Sequence, residues 1–239
     1  TSFVAIKKGS AMSKSDDAFT NLITFYKFIT KIFSNVIKLE VDQDKNLDAE
    51  IKAYMQKRPD EDQIDHFYEV LSMMWDAITN CFPEFGTENS GDSRDPNKEK
   101  FANFLFTPIG QLAFGDLIRI RTERLDFSRH VSEESFMDCI KVLAKIPWKM
   151  REKPWEGLVC VKETSPEGQQ NWKMINEGRS EAIKLVMEIC EWLIGEIDLN
   201  ENEISELKSK WQQIGNTKSD KEAEECFSNL MELHSKISQ

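Results

Sequence analysis

The segment NFLFTPIGQLAFGDLIRIRTERL, Asn103 to Leu125, carries the sharpest punctuation in a chain of 239 residues. A short apolar run meets Thr107-Pro108, and a helix-like stretch follows that ends in Arg119, Arg121 and Arg124. Threonine offers its side-chain oxygen to the free N–H groups of a helix start. Proline loses nothing at the first helical position, where its missing N–H would have no partner. Ile109, Leu112, Ala113, Leu117 and Ile120 then share an approximate helical face. The spacing predicts a capped core helix with arginines at its far end.

The neighbouring segments read the same way. SKSDDAFTNLITFYKFITKIFSNVI, residues 13–37, predicts a first long helix capped by Ser15 or Asp16. Its apolar stripe is Phe19, Leu22, Ile23, Tyr26, Ile29, Ile32, Phe33 and Val36. Leu47 to Lys57 predicts a shorter helix stopped by Arg58-Pro59. Residues 60–82 carry Ile64, Phe67, Leu71, Met74, Trp75 and Ile78 on one side and end before Pro83. Ser132 can cap a helix that Pro147 ends. The polar, turn-rich residues 83–100 predict an exposed loop inside one domain. Two short apolar runs around Pro166-Glu167-Gly168 predict a small hairpin near 155–175. Arg179 to Ile194, a segment capped by Asn200, and one capped by Ser219 or Asp220 complete a mainly α chain of seven or eight helices. The expected organisation is a strand-like segment at 1–12, either a remnant of a preceding unit or a tail, a helical domain at 13–198, and an acidic helical hairpin at 199–239 packed on it. Only ten glycines and seven prolines in this length agree with helices rather than many strands.

The net charge is −11 and uneven. Residues 101–153 hold nine basic against seven acidic groups, a balance of +2, whereas residues 177–239 hold seven against fourteen, a balance of −7. An acidic chain is repelled by nucleic acid as a whole, so phosphate contacts would have to come from the middle segment. The candidates there are Arg119, Arg121, Arg124, Arg129, Lys145, Lys149 and Arg151. The commoner role of such cations is solvation or pairing along the helix, Arg119 with Asp116 and Glu123 for instance. Trp148, Trp155 and Trp172 could stack on bases, but core packing is the commoner use.

Other chemistry finds little footing. There is no glycine-rich phosphate loop, no nucleophile beside its base, and no cysteine–histidine pattern for a metal. Asp62 and His66 share a helix face, but two ligands do not make a metal site. The sequence implies no cofactor and no catalytic residue. Five dispersed cysteines read as reduced core thiols of a cytoplasmic protein, and no apolar run is long enough to span a membrane.

Three stretches together resemble DGQHR-domain proteins of the DndB type, associated with DNA sulfur modification (phosphorothioation) in bacteria. Phe19, Leu22, Tyr26 and Lys27 match one family segment. Leu105, Phe106, Pro108, Ile109, Gly110 and Gln111 match a Leu-Leu-Phe-Arg-Pro-Ile-Gly-Gln motif, with Thr107 in place of the arginine. PWEGLVCV, followed by WKMI, matches a third. The name motif itself is absent, so the resemblance implies the family's C-terminal helical half. It implies a non-catalytic module in DNA modification or phage defence that assists DNA binding or transcriptional control, with DNA met through 101–153. The alternatives are a protein-interaction scaffold using the acidic C-terminal helices, or the partner half of an enzyme whose active site lies elsewhere. A homo-oligomer is compatible with each.

Overall fold

A computed structural model describes residues 4–7, 11–37, 47–57, 60–86, 90–125, 127, 131–174, 179–214 and 220–237. Its main-chain elements are mainly helices. They are α1 (Leu22–Ile37), α2 (Leu47–Gln56), α3 (Glu61–Cys81), α4 (Ser90–Arg94), α5 (Pro108–Thr122), α6 (Glu133–Lys141), α7 (Arg179–Leu193), α8 (Glu201–Ile214) and α9 (Asp220–Ile237). Two small strand pairs accompany them. β1 (Val4–Ala5) runs parallel to β2 (Thr20–Asn21), and β3 (Cys160–Thr164) pairs antiparallel with β4 (Gln170–Met174). The fold is mainly α with a small hairpin, as the spacing predicts.

The core forms around α5. This helix packs on α1, α6 and α7, and α3 packs on α6. Thr107 caps α5 by accepting the Gly110 N–H at 3.1 Å, with Pro108 at the first helical position. The preceding Phe104, Leu105 and Phe106 form one tight helical turn and are almost wholly buried. Burial of each such side chain contributes about 1.5–3 kcal/mol before entropy is counted. Gly110 has no substitute at the crossing: a Cβ there would lie 2.0 Å from the Phe104 carbonyl oxygen.

The first helix starts later than its spacing suggests. Neither Ser15 nor Asp16 caps it. Asn21 does, its Oδ1 accepting the Thr24 N–H at 2.9 Å. The reason lies in the carbonyls of Ser13, Asp16, Ala18 and Phe19, which accept from the Arg94 guanidinium in a segment that would otherwise start the helix. The apolar face rotates accordingly. Phe28, Ile29, Ile32, Phe33 and Val36 are buried, whereas Leu22 and Tyr26 are exposed. The strand-like tail pairs through Val4 and Ala5 with this chain's own Thr20 and Asn21.

Residues 83–100 also depart from expectation. Pro83–Gly86 form a single tight helical turn, α4 follows at 90–94, and Ser90, Gly91, Ser93, Arg94 and Asp95 are buried. A polar, turn-rich composition signals solvent only when its polar groups lack internal partners, and here they have them. The hairpin turns through Gly168 at φ 81°, and Trp172 of β4 accepts from and donates to the Asn97 side chain.

Helices α8 and α9 pack on α7 and on each other. Asn200 caps α8 with Glu203 reaching back to the Asn200 N–H at 2.8 Å, a reciprocal capping box. Trp211 of α8 is fully buried and donates from Nε1 to the Pro154 carbonyl at 3.1 Å. Among the described residues no helix is long and apolar enough to cross a membrane.

Candidate functional site

Most described basic residues of 101–153 have partners within the fold. At the C-terminal end of α5, Arg121 pairs with Glu196, and its Nε points to the Cys139 carbonyl at 3.4 Å. Arg124 reaches the same Glu196 Oε1 at 3.1 Å. Glu196 is held there because Gly195, at φ 73°, ends α7 in a left-handed turn and the Glu196 N–H returns to the Glu191 carbonyl at 2.8 Å. Arg119 lies near Glu191, whose carboxyl is raised first by burial and then by its acidic neighbours, against the opposing pull of Arg119. Asp116, the expected helical partner of Arg119, instead holds Lys31 of α1 at 2.5 Å.

The second basic cluster is equally engaged. Lys145 donates to the Ile237 carbonyl at the end of α9 at 3.0 Å, the favourable place for a cation on a helix. Arg151 donates to the Pro96 carbonyl at 2.6 Å, pairs with Glu99 at 3.3 Å and lies 5.2 Å from the Trp172 ring centroid. Lys149 donates to the Lys100 carbonyl at 2.7 Å. Arg129 and its neighbour His130 lie outside the described residues. The structure thus gathers Arg121 with Arg124, and Lys149 with Lys100, and among the described residues no contact between these side chains joins the two clusters.

The tryptophans divide. Trp155 is fully buried, stacks on Phe104 with centroids 5.8 Å apart and on Trp148 at 6.1 Å, and its Nε1 donates to the Pro147 carbonyl. Trp172 is half-buried, with Arg151 and Lys162 over its ring. Asp62 and His66 are exposed on α3. Among the described residues, no group of three or more His, Cys, Asp or Glu side chains is placed to hold a metal.

Two features escape a reading of the sequence. The first is Arg94, a buried guanidinium surrounded by main-chain oxygens. Its Nε donates to Phe106 O at 2.9 Å, Nη1 to Ser13 O at 3.1 Å and Asp16 O at 2.6 Å, and Nη2 to Phe19 O at 3.0 Å and to Ala18 O. Burial pushes its pKa down, and the nearby Asp16 and Asp17 oppose this. The second is a cavity of about 300 Å³ lined by Glu84, Ser93, Lys100, Phe101, Asn103, Phe106 and Lys149. Residues 102–104 run beside 148–150, with Phe104 N–H to Trp148 O at 2.7 Å and Met150 N–H to Ala102 O at 3.2 Å. That pairing brings Lys149 opposite Asn103 at the cavity wall. The one signal in the sequence was an aromatic residue, Phe101, directly after Lys98 and Lys100 at the end of the stretch expected to be solvated.

No protein-family model, no curated protein and no solved structure matches the chain.

Proposed function

We propose that the chain is a non-catalytic helical module of a DndB-like protein in bacterial DNA modification or phage defence, where it assists DNA binding or transcriptional control. One observation supports this reading: the three stretches that carry the resemblance, far apart in sequence, meet in one hub. The Phe19 and Phe106 rings lie 5.2 Å apart, Gln111 donates to the Phe19 carbonyl at 3.0 Å and accepts from Thr20 at 2.7 Å, and Trp155 stacks on Phe104. Residues that share a structural purpose make a more coherent signature than scattered apolar matches.

In this reading the DNA contact draws on the cations that keep solvent exposure, Arg124 foremost, with over half of its side chain accessible. The test is fluorescence anisotropy of the full chain with duplex DNA, with and without phosphorothioate linkages, between about 50 and 200 mM salt. Binding that falls steeply with salt, and weakens for every sequence in Arg119→Glu/Arg124→Glu, is the expected result. Absence of binding, or binding indifferent to that pair, removes the DNA role.

The scaffold reading rests on α8 and α9, which expose Glu201, Glu203, Glu206, Glu224, Glu225 and Glu232. Of these, Glu206 pairs with Lys210 and Glu224 with Lys208. A basic protein partner that co-purifies, and is lost on Glu201→Lys/Glu225→Lys, would favour it.

A further inference from the structure

We propose that the cavity beside Asn103 binds a nucleotide, taking its phosphate at one pair of side chains and its base at another. The lining divides by chemistry. Lys149 spends one N–H on the Lys100 main-chain carbonyl at 2.7 Å, which leaves its ammonium two more donors, and Lys100, whose own ammonium lies over the Phe101 ring, lines the same cavity. Two lysines lining one cavity suit a phosphate monoester, since charge-assisted bonds to phosphate are the strong ones. Glu84 and Asn103 form the other pair, with Asn103 Nδ2 3.4 Å from Glu84 Oε1. An acid here repels phosphate but accepts from an exocyclic amino group, and the Asn103 amide keeps a second N–H for a ring nitrogen or carbonyl.

One phenylalanine supplies the flat surface. Phe106 is buried against the Phe19 and Phe85 rings, so the face offered to a base is the Phe101 ring, 40 % exposed at the wall with the Lys100 ammonium 5.5 Å from its centroid. Bases stack on such rings without sequence preference. A volume of about 300 Å³ is at the lower end of small-molecule sites, which run from roughly 300 to 1,000 Å³. A ligand with an anionic end, an N–H-bearing ring and this size is a mononucleotide carrying an amino group on its base. It could be free, or it could be one unit of a single strand. The assignment stands on these side chains and not on the family resemblance.

Calorimetric titration of the full chain with AMP, adenosine, inorganic phosphate and a short oligo(dA) tests it. AMP is expected to bind at least about tenfold tighter than phosphate or adenosine alone, because only AMP engages both pairs. Lys100→Ala and Phe101→Ala, both at exposed positions, are each expected to weaken AMP by about five- to tenfold with an unchanged circular dichroism spectrum. Tighter binding of oligo(dA) than of AMP, with the same sensitivity to both variants, assigns the site to a strand; the reverse assigns it to the free nucleotide. The proposal falls if neither ligand binds at millimolar concentration, if AMP binds no better than phosphate, or if neither substitution changes the affinity. Nucleotide binding without duplex affinity would leave this site standing and remove only the DNA-module reading.

Discussion

Arg94 holds the Phe19 carbonyl at 3.0 Å across 75 residues of sequence. This bond is one of a set that ties the 13–19 segment, α4 and the turn before α5 into a single body. The guanidinium suits the task because its N–H groups fan out in one plane toward several acceptors, a geometry that a lysine ammonium cannot reproduce. The near approach of the segments is built in elsewhere too, since a Cβ on Gly91 would sit 2.3 Å from the Lys14 carbonyl oxygen.

Arg94→Ala should therefore be severe. Each buried carbonyl left without a partner costs about 1–3 kcal/mol, so a loss of at least about 3 kcal/mol is expected in urea unfolding. Arg94→Lys should recover only a minority of it. A loss under about 1 kcal/mol would show that solvent reaches these carbonyls.

Two glycines of α5 should respond differently to alanine. At Gly110 the new Cβ meets backbone, the Phe104 oxygen at 2.0 Å, whereas at Gly115 it meets the Phe28 ring at 2.8 Å, a side chain that can rotate. Gly110→Ala should cost about 3 kcal/mol or more and Gly115→Ala about 1 kcal/mol. With roughly 2–4 °C per kcal/mol for a chain of this size, the two melting temperatures should be clearly separated. Equal shifts would contradict the crossing geometry.

Acid should act on Asp16. The hydrogen bond from the Lys7 ammonium, then those from Ser13, pull its carboxyl from an ordinary 3.8 to about 2. A carboxyl lowered in the folded state stabilises fully above its unfolded value and loses that contribution as pH falls through the folded one. Asp16→Asn should thus be less stable than the parent at pH 6, with the gap closing between about pH 4 and pH 2. Denaturant midpoints across this range measure it; a gap independent of pH would assign the effect to packing.

The arginine pair on Glu196 should divide unequally. The Arg121 side chain is 15 % exposed and that of Arg124 is 53 % exposed. Solvent screening leaves an exposed pair with little net value. A double-mutant cycle of Arg121→Ala with Glu196→Ala should give coupling of about 1 kcal/mol or more, and that of Arg124→Ala under about 0.5 kcal/mol.

Thiol chemistry should follow burial. Desolvation pushes the Cys160 and Cys226 thiols up to about 12, raises Cys190 further, and raises Cys139; Cys81 is half-buried and also raised by burial. An aromatic disulfide reagent at pH 8 should label Cys81 first and the others only as the chain unfolds. Rapid native labelling of Cys160, whose Sγ lies 2.9 Å from the Met150 carbonyl, would contradict its enclosure.

Local rules were sufficient wherever a segment's fate depended on its own residues. Thr107-Pro108 announced the start of α5, Ser132 that of α6, Asn200 that of α8, and the Pro-Glu-Gly turn announced the hairpin, because caps and turns are settled within a few bonds of the residue. Long-range polar contacts overruled the same rules elsewhere. Nothing in SKSDDAF marks its carbonyls as the property of Arg94, so Ser15 and Asp16 read as helix caps although α1 waits for Asn21. Nothing in GDSRDPNKEK marks half of it as buried. Likewise the basic cluster was visible as composition, but the partners of Arg121, Lys145, Lys149 and Arg151 come from Glu196, Ile237, Lys100 and Pro96. Amphipathic spacing and capping act over one helical turn and are written in the chain. Which buried donor finds which distant carbonyl, and whether a lysine faces solvent or its own backbone, is set only when the helices pack.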